Sequence, residues 1–216
     1  MAERARDLLR AQKVEGVVEG AALTQLEQLI ERARTLEAKQ RAGILAARGG
    51  REKGVEVRHA LQSKLLLYLS AVGSVAAGEN TELAAQFRLP KVGPNQAFAS
   101  MARGMLEVAT ANKEVLVKRG MSEALLTDIA TGIEEFERTL ETTRTGRRDH
   151  VGASADLKAV MAEVSDQLRV LNGIVRYRFG DNPELMGAWL SAHSIFGPLR
   201  SNVTPQEGGG ETPKAA

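Results

Sequence analysis

Apolar residues recur along the chain mainly at intervals of three and four positions, the spacing that places side chains on one face of an α-helix. No stretch shows the alternation typical of a β-strand. The sequence therefore predicts an all-α protein. Helices are predicted over residues 3–15, from Thr24 to Gly49, over 53–77, 81–87 and 95–118, from Ser122 to Gly146, from Ser154 to Gly180, and over 183–196.

Glycine and proline set the expected breaks between these helices. Gly49–Gly50 is predicted to end the second helix, although one helix continuing through Arg51 also fits the pattern. The segment 146–153 is predicted to be a loop, and 89–94, with two prolines, a rigid non-helical crossing. Asn182 followed by Pro183 is the usual start of a helix, and it predicts the last one.

The predicted long helices have similar lengths and mostly short connections, which favours antiparallel neighbours. We therefore expect an up-and-down bundle of four to five long antiparallel helices plus short helices, forming a single domain over residues 1–200. Glycines inside the helices indicate close helix–helix contacts. Residues 201–216 are polar and rich in Gly and Pro, which predicts a disordered C-terminal tail.

Composition narrows the classes of protein. The chain has no cysteine, which excludes disulfides, thiolate metal sites and cysteine nucleophiles. Its net charge is only +2, made up of +6 over residues 1–120 (19 basic, 13 acidic) and −4 over 121–216 (10 basic, 14 acidic). This polarity could orient a partner, but it is not the dense cationic surface of a nucleic-acid-binding protein, so we expect no nucleic-acid partner.

The N-terminus mixes acidic and basic residues and lacks the apolar core of a secretory signal. The longest strongly apolar run, 65–78, is shorter than the roughly 20 residues that a transmembrane helix needs. We therefore expect no transmembrane segment and a cytoplasmic location.

Three segments carry a resemblance. FRLPKVGPNQAF (87–98), DHVGASADL (149–157) and RYRFGDNPELMGAW (176–189) resemble stretches of a set of uncharacterised bacterial all-helical proteins. Those chains have two or three long N-terminal helices, a non-helical crossing that contains a dipeptide similar to Val-Pro, and a C-terminal helical half. This sequence has Leu89–Pro90 at the crossing. The set has no established activity, so the resemblance supports a helical fold and implies no function.

Metal and catalytic patterns are weak. Glu56 and His59 have the E-x-x-H spacing of di-iron bundles, but the second copy that such sites need is missing. His59, His150 and His193 could form a three-histidine site, although none has a local partner. No nucleophile-elbow, P-loop or dinucleotide-binding motif occurs. We therefore predict no metal and no cofactor, and we lean against an enzyme.

Two basic clusters are candidates for anion contact. Arg51 and Lys53 follow the glycine pair, and Arg147 and Arg148 fall in the predicted loop. Guanidinium groups bind phosphate and carboxylate through paired hydrogen bonds. Acidic residues are interleaved with both clusters, so solvated loops are the alternative interpretation.

A third candidate lies near the C-terminus. Arg176, Tyr177, Arg178 and Trp189 form the most distinctive cluster in a chain with only 4% aromatic residues. Tyr and Trp combine apolar area with a polar group, which suits ligand binding. The alternative is a structural corner in which the aromatic residues fix the last helix.

These patterns favour a non-enzymatic helical interaction or scaffold protein, whose partner would be a second copy or another protein. The alternative is a helical bundle that binds a small ligand or metal between its helices.

Overall fold

The structure, a computed structural model, describes residues 1–12, 17–78, 81–89 and 93–194. Every regular element in these ranges is helical, which confirms the all-α prediction. The predicted tail, 201–216, lies outside the described residues. The helices are α1 (Ala2–Ala11), α2 (Val17–Ala60), a π-helical turn (Leu61–Leu66), α3 (Leu67–Ala77), α4 (Thr81–Gln86), α5 (Asn95–Ala111), α6 (Lys113–Lys118), α7 (Ala124–Phe179) and α8 (Pro183–His193).

The second and third predicted helices are one. α2 runs through Gly49–Gly50 and continues through the π turn into α3 without a break. Glycine lowers helix stability by about 1 kcal/mol relative to alanine, but it leaves the helix geometry unchanged. Thr24 does not cap a helix start, because its hydroxyl donates to the Gly20 carbonyl oxygen (2.8 Å) inside α2.

The π turn changes which residues of this helix face the core. Val57, Leu61, Leu66 and Leu69 are buried, and the five-residue step from Leu61 to Leu66 marks the extra residue that a π turn adds. A regular 3.6-residue repeat would have placed Leu65 in the core and Val75 on the same stripe. Leu65 is instead only partly buried, and the Val75 side chain is 61% exposed.

The loop predicted over 146–153 is wrong, because α7 is helical throughout this segment. Ser154 consequently does not begin a helix: its hydroxyl donates to the His150 carbonyl oxygen (2.7 Å) and accepts from Gln40 Nε2 (2.8 Å). A Cβ on Gly146 would lie 2.6 Å from the Ala47 backbone nitrogen. This glycine therefore serves close helix packing rather than a turn.

The chain divides into two compact units, 1–34 with 158–216 and 35–157. The single domain over 1–200 stays a prediction. In the first unit α1 packs against α8. Trp189 of α8 is fully buried. The predicted start of α8 is confirmed, since the Asn182 side chain accepts a hydrogen bond from the Leu185 amide (3.1 Å).

In the second unit α2 and α7 run antiparallel. Gly43 and Gly50 of α2 face Gly146 and Thr143 of α7, and Leu61 of the following π turn faces Gly132, so residue numbers fall along α7 as they rise along α2. The predicted helix 95–118 is interrupted at Asn112, where α5 gives way to α6. The core of this unit is built mainly from aliphatic side chains with three phenylalanines: Phe87, Phe98 and Phe136.

Within the described ranges, one continuous helix, Gly20–Ala77, is long and apolar enough to span a membrane by length and composition. The core helix of a soluble protein meets the same criteria. The absence of a transmembrane segment therefore stays a prediction.

Candidate anion-binding groove

A groove of about 850 Å³ lies on the surface of the second unit, formed by α2 with the π turn that follows it, α7 and the start of α5. We call it the arginine groove. Its lining consists of Gly50, Arg51, Gly54, Val55, Arg58, His59, Gln62, Asn95, Gln96, Leu140, Thr143, Arg144 and Arg147. Four guanidinium groups line it, and no carboxylate does so among the residues that the structure describes.

Helix geometry brings these side chains together. On α2, Arg51, Val55 and Arg58 follow each other at steps of four and three, and therefore share one face. On α7, Arg144 and Arg147 are three residues apart on the face that meets α2. Both faces exist only because neither helix breaks at its glycines.

Arg58 is held in place from several sides. Its Nη1 donates to the Gly93 carbonyl oxygen (2.9 Å) and to Asn95 Oδ1 (2.7 Å). The guanidinium carbon lies 4.6 Å from the centroid of the Phe98 ring, a cation–π contact. Phe98 in turn packs edge-on against Phe136 of α7 (centroids 5.4 Å apart). Arg58 is therefore a fixed cation at one end of the groove.

Arg51 and Arg147 are exposed. Neither forms an ion pair with any residue of the described part of the chain. Arg144 is paired with Glu141 (3.1 Å), three positions earlier on α7. The groove thus carries positive charge that the neighbouring carboxylates only partly balance.

Of the four residues predicted for anion contact, Arg51 and Arg147 line the same groove, and Lys53 and Arg148 do not. Lys53 forms ion pairs with Glu56 (3.3 Å) and Glu135 (3.6 Å). The hydrogen bond with Glu56, reinforced by the charges of both carboxylates, raises the pKa of Lys53 above its ordinary value. The positive charge of Lys53 is therefore already engaged by two carboxylates outside the groove.

Sequence reasoning did not group Arg58 and His59 with the basic clusters, although both line the groove. The signal was present: Arg51, Val55, Arg58 and Gln62 have a continuous helical spacing. The break predicted at Gly49–Gly50 obscured this spacing, because it separated Arg51 from the helix predicted to follow.

The structure brings only two residues of the C-terminal candidate cluster together, Arg176 and Trp189, which share Asn172 as hydrogen-bond acceptor. Trp189 is fully buried and donates from Nε1 to Asn172 Oδ1 (3.0 Å), while Tyr177 is 93% exposed. Arg176 Nε also donates to Asn172 Oδ1 (3.3 Å), and Arg178 is exposed. Trp189 is a packing residue between α7 and α8, stacked on His193 (centroids 5.1 Å apart).

The residues considered for metal binding are not gathered at one site. Glu56 is engaged with Lys53, and His193 Nδ1 lies 2.7 Å from the Trp189 carbonyl oxygen. His150 has a buried Nδ1 without a hydrogen-bond partner in the structure. No three His, Asp or Glu side chains of the described ranges are placed to hold a metal ion.

Comparison of the chain with protein-family models, with curated proteins and with solved structures finds no significant match.

Proposed function

We propose that this is a binding protein, not an enzyme, and that it holds an anionic ligand or an anionic segment of a partner in the arginine groove. One observation carries the proposal: Arg51, Arg58, Arg144 and Arg147 converge from two antiparallel helices on one concave surface whose described lining holds no carboxylate. Concave sites with a few convergent polar groups are the usual binding sites of proteins.

The lining supports binding better than catalysis. Thr143 is its only described hydroxyl side chain, and that hydroxyl donates to the Thr139 carbonyl oxygen (2.8 Å) instead of facing a base. His59 is exposed, with no carboxylate beside it in the described lining to orient its ring. Guanidinium groups, which stay protonated at physiological pH, bind anions without transferring protons.

The proposal requires only that α2 and α7 lie side by side in the second unit. The full up-and-down bundle of four to five helices stays a prediction, and so does the identity of the partner as a second copy or another protein. A ligand site at Tyr177 and Trp189 has less support, because the first side chain is exposed and the second is buried.

The test compares two double variants of equal charge. R51Q/R147Q removes two cations from the groove, and K53Q/R148Q removes two cations that follow closely on the same helices but do not line it. The melting temperature of each protein is measured at constant ionic strength with sulfate, citrate, tripolyphosphate or a glutamate-rich peptide. An anion at 100 times its Kd stabilises the folded state by about 2.7 kcal/mol.

We expect at least one of these anions to raise the melting temperature of the wild type and of K53Q/R148Q, with a much smaller effect on R51Q/R147Q. Equal responses of all three proteins, or no response to any anion, would contradict a specific anion site.

A further inference from the structure

We propose that the ligand of the arginine groove is a short oligophosphate, meaning two or three linked phosphoryl groups, free or as the terminal part of a larger molecule. This inference rests on the proposed function and names its ligand class. It follows from the spacing of the cations, from the neutral groups beside them and from the carboxylates outside the groove.

The cations are spread along the groove. Arg51 and Arg58 are seven residues apart, which places their backbones about 10 Å apart along the axis of α2. Arg144 and Arg147 of α7 are separated by about 4.5 Å along theirs. An elongated ligand with several negative charges can contact cations from both helices at once, whereas a single small anion reaches only one end.

The remaining donors favour phosphate over carboxylate. Gln62, Asn95 and Gln96 contribute side-chain amides to the lining. α5 also begins at the groove, and its N-cap, Pro94, has no side-chain oxygen to accept from the first-turn amides. A phosphoryl group presents oxygens in several directions, so it can accept from guanidinium groups and amides together, while a carboxylate accepts in one plane.

Two features limit the length of the ligand. Glu52 and Glu141 each come next in sequence to a lining residue and are ion-paired, with Arg48 (2.9 Å) and Arg144 (3.1 Å), so the charge on the flanks of the groove is already balanced and offers little to a longer polyanion. Proteins that bind single-stranded nucleic acid stack the bases on aromatic side chains, and the described lining includes no Phe, Tyr or Trp, with His59 as its one ring. A compact oligophosphate can contact the cations of the groove without extending past its ends and without bases that need a stacking partner.

Calorimetric titration at fixed ionic strength tests this class. The probes are orthophosphate, pyrophosphate, tripolyphosphate, citrate and a thymidine 20-mer, each added to the full chain. We expect affinity to rise from orthophosphate to tripolyphosphate, and tripolyphosphate to bind at least about tenfold more tightly than citrate, since it offers more charge-assisted hydrogen bonds.

The equal-charge variants locate the site. R51Q/R147Q should weaken tripolyphosphate binding by roughly tenfold or more for each arginine. K53Q/R148Q should change it no more than about threefold, the effect of altered net charge alone. Circular dichroism confirms that both variants are folded, which exposed substitutions of this kind normally permit.

The outcomes separate the two proposals. If citrate or the 20-mer binds as tightly as tripolyphosphate and that binding depends on Arg51 and Arg147, the groove is an anion site but the oligophosphate class is wrong. If no probe binds in a way that depends on these arginines, both proposals fail.

Discussion

Gly43 of α2 and Gly146 of α7 face each other with no side chain between them: a Cβ on Gly146 would lie 2.8 Å from the Gly43 carbonyl oxygen, and one on Gly43 would lie 2.8 Å from the Gly146 carbonyl oxygen. Backbone atoms cannot move aside as the end of a flexible side chain can. The antiparallel pair that carries the arginine groove therefore depends on glycine at both positions.

This contact predicts opposite effects for two Gly→Ala substitutions. Gly146→Ala should lower the free energy of unfolding by about 1–3 kcal/mol, the usual cost of overpacking. Gly49→Ala should raise it by up to about 1 kcal/mol, because nothing lies within 4 Å of an added Cβ and alanine is the better helix former. Urea unfolding followed by circular dichroism measures both. A stabilised Gly146→Ala would show that the helices do not approach this closely.

Asn172 is predicted to matter more for stability than the conspicuous Tyr177. Asn172→Ala leaves the buried indole N–H of Trp189 without its acceptor, at a cost of about 1–3 kcal/mol. Tyr177→Ala changes an exposed side chain and should stay within about 0.5 kcal/mol of the wild type. Thermal unfolding of both variants gives the comparison, and a larger loss for Tyr177→Ala would contradict the burial described above.

The ion pairs of Lys53 predict a measurable titration. NMR of the Lys53 side chain should give a pKa above the ordinary lysine value, and Glu56→Gln should lower it, since the hydrogen bond with Glu56 is the main cause of the increase. Because the folded-state pKa is the higher one, the associated stabilisation is present at neutral pH and is lost as pH rises through the pKa of folded Lys53. An unchanged pKa in Glu56→Gln would rule out this pairing in solution.

Gly120 ends α6 in a backbone conformation that only glycine adopts readily. Its φ is 100°, and its carbonyl oxygen accepts a hydrogen bond from the Tyr68 hydroxyl (2.6 Å). Gly120→Ala should destabilise the protein by about 1–2 kcal/mol through backbone strain alone, because an added Cβ meets no atom within 4 Å. The matched control is Gly104→Ala, inside α5 and equally unobstructed, which should be neutral or stabilising in the same denaturation experiment.

Local chemistry predicted much of the fold. Helical periodicity, the cap at Asn182 and the helix end predicted at residue 118 depend on neighbours in sequence, and the structure agrees with them. The uncertainty at Gly49–Gly50, where one continuous helix was the open alternative, and the error at 146–153 share one cause: a glycine at a turn and a glycine at a helix crossing have the same local sequence signal, and only the partner helix distinguishes them. The groove was recognised only in part for the same reason, since its two basic clusters lie on helices that were predicted to be broken there.

Trp189 is the only tryptophan of the chain, and it is buried in the first unit beside Asn172. Its fluorescence therefore senses the surroundings of α8, while circular dichroism averages over the helices of both units. Denaturation curves recorded with the two signals therefore test cooperativity. Coincident curves would show that the chain unfolds as one unit. Separated curves would show that the part of the chain that contains the arginine groove unfolds in a separate transition.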